Sequence, residues 1–222
     1  MKWAYVVKIW QKYDMVFLRG LGGTLWISAV VLLVGCVLGL LVSLLRMSKI
    51  KPLQWLGDIY VEILRGTPVL LQLYFFWIGL PKLLPMLELT DTQCILTALI
   101  INASAYISEI FRAGISAVDS GQFEAARSLG MSESHLMTQI ILPQAVKNIL
   151  PALGNEFIST IKGTSLASVF FVGELMTSQK TVQSATFLAL ESLTIVGIIY
   201  FILSFGLSKL LKLLERRLRA SD

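Results

Sequence analysis

The run TLWISAVVLLVGCVLGLLVSLL, from Thr24 to Leu45, holds no charged side chain across 22 positions. At 1.5 Å of rise per residue, about 20 apolar residues in a helix cross the roughly 30 Å core of a bilayer. Lipid offers the backbone no hydrogen-bond partner, so such a run spans as a helix, and the chain reads outward from it as an all-α membrane protein. Composition agrees: 55% of the 222 residues are hydrophobic and 15% charged, where soluble domains are nearer a quarter charged. Val69 to Leu80 is uncharged but short, so its span begins earlier, near Ile59, and includes Glu62 and Arg65. Cys94 to Phe111 contains only Glu109, and Leu153 to Leu175 contains Glu156, Lys162 and Glu174. Ala189 to Leu207 contains only Glu191, and its apolar run continues to Leu214 with two lysines. The expectation is about five transmembrane helices in one domain, 1–222, with spans near 22–45, 59–83, 93–113, 153–176 and 187–212 and a loop over 114–150.

The flanks refine this. Lysines before an apolar run suggest a secretory signal, but the run is too long and no small-residue cleavage site follows it. Trp3, Val6, Val7, Trp10 and Tyr13 fall at helical spacing, which predicts an N-terminal helix lying in the membrane interface. Five spans put the termini on opposite sides. With the C-terminus cytoplasmic, eleven basic residues lie inside, among them Arg46, Lys49, Lys51, Arg127 and Arg216, and six lie outside. The positive-inside rule favours that orientation, with the N-terminus outside, although the basic N-terminal segment pulls weakly the other way. The net charge of +5 therefore reflects topology, and no basic patch with interleaved aromatics points to nucleic acid. Cys36 and Cys94 lie inside apolar spans without metal-ligand spacing, and His135 is the only histidine, so neither a metal site nor a catalytic constellation is expected.

The loop at 114–150 carries Glu124-Ala125-Ala126, then Gly130 after three residues, then Ile140-Ile141-Leu142-Pro143 after nine more. Gln122 to Leu129 predicts one compact helix. Ala125 and Ala126 would let a partner approach closely, and Gly130 permits a left-handed cap. Phe123 and Leu129 supply apolar contacts there, Glu124 and Arg127 polar ones. This spacing resembles the EAA loop of permease subunits of bacterial ABC importers. In that family the loop forms a coupling helix on the cytoplasmic side, seated in a groove of the ATPase, which would make Glu124, Ala125, Ala126 and Gly130 the docking residues.

The resemblance extends from about Gly20 to Arg219. Arg65-Gly66-Thr67-Pro68, the 102–115 stretch, Asn155-Glu156-Phe157-Ile158 and Lys162-Gly163-Thr164-Ser165-Leu166 look like permeases for polar amino acids, the branch serving histidine, arginine, glutamine, glutamate and cystine. It implies the type I importer permease fold in a bacterial inner membrane. It further implies a second permease subunit in a homo- or heterodimer, two cytoplasmic ATPases and an extracytoplasmic solute-binding protein. The residues independently require the ATPase to come from elsewhere. A phosphate-binding loop needs Gly-x4-Gly-Lys-Ser/Thr at a helix start, and Lys162-Gly163-Thr164 has the wrong order. No cofactor of its own is expected, ATP being bound by the partner.

Charged side chains inside a membrane are costly and face a partner, a cavity or a substrate path. Asn102, Tyr106 and Glu109 fall at i, i+4 and i+7, one face of a helix; Glu156, Thr160, Thr164 and Ser168 recur every four residues. An α-amino acid needs acceptors for its ammonium and donors for its carboxylate. Asn102, Glu109 and Glu156 can accept, while Arg65, Thr164 and Ser165 can donate, so these residues with Tyr106 and Thr160 form the candidate substrate site. The bland alternative is that Arg65, Glu109, Glu156 and Lys162 pair with one another or with the second subunit. Pro68 breaks the second span after its first turns and frees carbonyls, which makes Arg65 to Pro68 a gate or pocket element. Gly35 and Gly39 form a small-xxx-small packing face. Many relatives in the branch it resembles carry Asp or Glu where this chain has Gly163. Its absence leaves Lys162 less compensated and predicts a neutral or acidic polar amino acid over arginine or lysine. The leading reading is thus a permease in which ATPase closure draws two coupling helices together and reorients the spans. An ion-coupled carrier or channel, or a structural membrane subunit, leaves the loop or the polar stripes unexplained.

Overall fold

Helix α1 (Trp3–Arg46) opens the computed structural model, which describes residues 2–219; Met1 and 220–222 of the expected 1–222 domain lie outside the described residues. α1 runs for 44 residues with one non-helical position, Tyr13 (φ −124°, ψ 15°). The N-terminal segment is helical, as its spacing predicts, and a kink at Tyr13 separates it from the first span. Half of it finds protein: Val6 and Ile9 join Phe17 in a core with Leu175, Val182, Ile195 and Val196. Trp3, Val7 and Trp10 stay exposed on the other face.

The middle of α1 lies along α4 (Asp91–Ser116), which begins with a capping box between Thr90 and Gln93. Gly35 and Gly39 are the contact face. A methyl group built on Gly39 would sit 2.8 Å from Ile107 Cγ2 and 2.9 Å from the Ser104 carbonyl oxygen, so these helices touch backbone to side chain. Further toward its N-terminus α1 meets α8 (Leu175–Thr186) at Gly20 and the segment leading into it at Gly23, where the same test ends 2.0 Å from the Gly173 carbonyl oxygen.

The second expected span is two helices. α2 (Lys51–Gly66) and α3 (Val69–Leu83) meet at 108° across Thr67-Pro68. Proline cannot donate, and the residue before it avoids helical dihedrals, so the helix must stop there. Gln72 satisfies what the bend exposes: its Nε2 donates to the Leu64 carbonyl at 2.8 Å and to Thr67 Oγ1 at 2.8 Å.

After α4 come α5 (Ser120–Ser128), a single turn α6 (Glu133–His135), a π-helical segment (Leu136–Ile141) and α7 (Leu142–Gly163). Val118, Ala126, Leu136, Ile141, Ala145 and Ile149 form one buried cluster, so α5 is fastened to the end of α4 and the start of α7. The chain then tightens into a 3₁₀ segment (Thr164–Phe170), enters α8 at Glu174, whose carboxylate accepts from the Met176 and Thr177 amides, and ends in α9 (Ala189–Arg219). Among the described residues α1, α4 and α9 are each long and apolar enough to span a membrane, and the bent α2–α3 pair would make a fourth. The remaining expected span, 153–176, is not one helix: α7 has 22 residues, about 33 Å, begins at Leu142 inside the expected loop and ends at Gly163, and the 3₁₀ segment and the start of α8 take up the rest.

Candidate functional site

The eight candidate substrate residues do not form one cluster. Asn102, Tyr106, Glu156 and Thr160 line a cavity of about 270 Å³ between α4 and α7, together with Ser159, Gly163 and apolar side chains from α1 and α3. Glu156 is its one charged lining residue. Among the described residues that side chain meets no ion-pair or hydrogen-bond partner, which leaves both oxygens for a ligand. Asn102 is held from behind: its Nδ2 donates to Gln72 Oε1 at 2.9 Å, so its own carbonyl oxygen remains as an acceptor. Gln72 was absent from the sequence expectation, although a lone amide in VLLQLYFF, four residues after a proline, is the kind of group that a helix break requires.

Arg65 and Glu109 line a neighbouring cavity of about 380 Å³ that also includes Tyr106 and Glu156. Glu109 is heavily paired. Its Oε2 receives Arg46 Nη1 at 2.7 Å and Arg112 Nε at 3.1 Å, and Arg112 Nη2 donates to Oε1. Arg46 in turn holds Asp58 at 2.8 Å. For Glu109 the expected alternative of structural pairing is what the geometry shows, and it ties α1, α2 and α4 together.

Thr164 and Ser165 fall elsewhere. Past Gly163 the chain turns about three residues per turn instead of 3.6, so the four-residue stripe loses its register. Thr164 is fully buried with Oγ1 donating to the Ile161 carbonyl at 2.8 Å; Ser168 is buried also. Ser165 lines a third cavity with Lys162, Met176 and Tyr200. Lys162, expected to be less compensated for want of an acid at 163, lines that third cavity, whereas Gly163 lines the Glu156 cavity.

The loop helix is as compact as its sequence implies. Asp119 caps α5 by accepting from the Gly121 amide at 2.6 Å. At the other end Gly130 takes φ +76°, its amide donates to the Arg127 carbonyl, and the Met131 amide donates to the Ala126 carbonyl. Those two bonds are a Schellman cap, and glycine allows it without a steric penalty. Arg127 clasps Glu133 through Nε at 2.8 Å and Nη2 at 3.2 Å, bracing α5 against α6. This hydrogen bonding holds the Glu133 carboxyl below its ordinary range, so the clasp is present above the unfolded value and is lost only as pH falls through the lowered one. Among the four expected docking residues the roles differ: Glu124, Ala125 and Gly130 are exposed, whereas Ala126 is 2% exposed and packs inward. Leu129, 83% exposed, is the apolar side chain that α5 presents outward.

Comparison with known proteins adds an independent line. Residues 14–220 match the family described as binding-protein-dependent transport system inner membrane component. The chain is 40% identical to the arginine transport system permease protein ArtQ of Bacillus subtilis (strain 168), over 92% of this chain and 93% of that protein. It is also 40% identical to the probable glutamine ABC transporter permease protein GlnM of the same organism, over 92% and 94%. The crystal structure of an amino acid ABC transporter with histidines superposes with a TM-score of 0.89 at 44% identity, covering 93% of this chain and 95% of that one.

Proposed function

The chain belongs to the family of binding-protein-dependent transport system inner membrane components, as the permease component of an amino-acid ABC importer with the all-α type I permease fold, and on that premise we propose how it works. An extracytoplasmic binding protein delivers a polar amino acid to the bundle. A cytoplasmic ATPase, which supplies the ATP-binding site, docks on α5. The N-terminus lies outside and the C-terminus in the cytoplasm. The observation that carries this reading is a single continuous path: exposed α5 is fastened through the π-helical segment to α7, and α7 lines the cavities. A displacement of α5 by its ATPase is transmitted to the helix that holds Glu156 and Thr160.

In the 270 Å³ cavity Glu156 receives the α-ammonium, assisted by the Asn102 carbonyl oxygen. Tyr106 and Thr160 supply hydroxyls for the carboxylate or a polar side chain. Conformational gating then follows from moving α7 against α4.

Reconstitution in proteoliposomes tests this. With the ATPase and the binding protein, uptake of an amino acid is expected only when ATP is inside the vesicle. Gly130→Pro is expected to insert normally yet lower that uptake at least about ten-fold, since proline fixes φ near −65° and removes the amide that donates to Arg127. Uptake driven by an ion gradient without ATP would favour a carrier and overturn the reading; wild-type uptake by the Gly130→Pro protein would remove α5 as the coupling element.

A further inference from the structure

The two cavities on α4 and α7 lie in series. On α4 the first is lined as far as Tyr106 and the second from Tyr106 to Gly114; on α7 the first extends from Glu156 to Gly163 and the second from Asn148 to Glu156. Tyr106 and Glu156 are the residues common to both. Eight residues of helix separate Tyr106 from Gly114, about 12 Å, so the second cavity extends toward the end of the bundle that carries α5.

Their charges differ. The first has Glu156 alone, and the second adds Arg65 and Glu109. Around the second, Arg46, Arg65 and Arg112 face two carboxylates, Asp58 and Glu109. Arg46 and Arg112 are engaged at hydrogen-bond distance. Arg65 approaches Glu109 no closer than 3.9 Å, lies 5.5 Å from the Tyr106 ring centroid, and keeps 43% of its side chain exposed. A guanidinium is a planar fork that matches a carboxylate with two parallel bonds. Arg65 is thus the one cation of the three held mainly by a ring face, with its donors free to take an anion.

Building on the substrate reading above, we propose that the second cavity is a separate inner station for the transported amino acid. There Arg65 takes the α-carboxylate while Glu156, reachable from both sides, keeps the ammonium. The zwitterion changes only one of its two partners at each move. Its carboxylate passes from the hydroxyl and amide groups around Asn102 and Thr160 to Arg65. Tyr106, under the guanidinium, forms the wall between the two stations. The ammonium never has to leave a carboxylate inside the membrane, which is the step that would cost most.

The test uses the assembled permease and ATPase, with and without the binding protein. Radiolabelled L-glutamine, L-glutamate, L-arginine and L-cystine serve as probes for equilibrium binding to the ATP-free permease–ATPase complex without the binding protein, whose own site would mask the cavities, and for ATP-driven uptake by the complete transporter. Arg65→Gln is expected to leave resting affinity for the transported probe within about two-fold and the uptake KM unchanged, while the uptake rate falls about ten-fold or more. Arg65→Lys is expected to recover part of that rate, because it returns the charge but not the fork. Retained ATP hydrolysis by each variant complex verifies assembly. Asn102→Ala is the contrasting variant, expected to weaken resting binding about ten-fold. An Arg65→Gln protein that loses resting affinity as Asn102→Ala does would place Arg65 in a single site and overturn the inner station, as would an unchanged uptake rate. If Asn102→Ala leaves binding untouched, the substrate reading of the first cavity fails, and the split between KM and rate in Arg65→Gln still decides the inner station.

Discussion

Glu109 and Glu156 look alike in the sequence, two carboxylates buried in apolar helices, and the fold gives them opposite circumstances. Glu109 receives guanidinium groups from α1 and α4, with Arg65 of α2 nearby, whereas Glu156 has none among the described residues. Helical spacing says which residues share one helix face. It does not say which side chains arrive from other helices, so this difference was not legible. The positions that spacing did place, Asn102, Tyr106, Glu156 and Thr160, do line one cavity. Thr164 and Ser165 were lost to a local effect: their hydroxyls donate to the Ile161 and Lys162 carbonyls, a competition with helix geometry that favours the 3₁₀ turn. Gly163 lines the Glu156 cavity, and a methyl group built there meets nothing within 4 Å, so an acid can be introduced without a clash. A lone carboxylate matches the one ammonium that every amino acid has and leaves a cationic side chain without a partner. Gly163→Asp is therefore expected to raise uptake of arginine and lysine relative to glutamine several-fold, an effect of about 1 kcal/mol for an added charge in a partly wet site. Competitive uptake measures the ratio; an unchanged ratio with transport intact would mean that position 163 does not read charge.

At the level of elements, the sequence showed where helices stop more readily than how they meet. Pro68 announced the break in the second span, yet the 108° angle depends on Gln72 covering the freed carbonyls from inside the bend. Gly35 and Gly39 announced a packing face, and α4 occupies it. The contact of α1 with α8 and the segment leading into it, at Gly20 and Gly23, was invisible, because those glycines sit at the edge of the apolar run and their partner is 150 residues away. It makes a clean experiment. Gly23→Ala places a methyl group 2.0 Å from the Gly173 carbonyl oxygen, and backbone must move to accept it. Gly22→Ala, one position along, meets nothing within 4 Å. Overpacking of this kind costs about 1–3 kcal/mol, and a chain of this size loses about 2–4 °C in melting temperature per kcal/mol. Thermal unfolding of the purified protein in detergent is expected to show Gly23→Ala melting several degrees low and Gly22→Ala at or above the wild type. Equal melting temperatures would mean that α1 and the segment leading into α8 are not in fixed contact.

At the level of the whole molecule, the surface carries two kinds of exposed face. Most of the exposed large apolar side chains belong to faces that suit lipid, such as Leu33 and Val37 on α1 and Phe201 and Ile202 on α9. α7 is different. Asn155, Ser159 and Lys162 are all exposed and lie at i, i+4 and i+7, one polar stripe along the helix that lines the cavities. Polar groups facing hydrocarbon cost several kcal/mol together, so the stripe needs either water or another protein surface. A second permease subunit packed along α7 would answer this, covering the stripe and closing the cavities from the lipid. Single cysteines in a protein with Cys36 and Cys94 replaced provide the measurement. Ser159→Cys is expected to yield a disulfide-linked dimer on mild oxidation in the membrane, and Phe201→Cys, on the lipid-facing side of α9, is expected to remain monomeric. Cross-linking at Phe201 and not at Ser159 would move the interface to α9. Native mass spectrometry of a functional transporter containing one permease chain would remove the dimer altogether, and the stripe would then have to line a water-filled path within a single subunit.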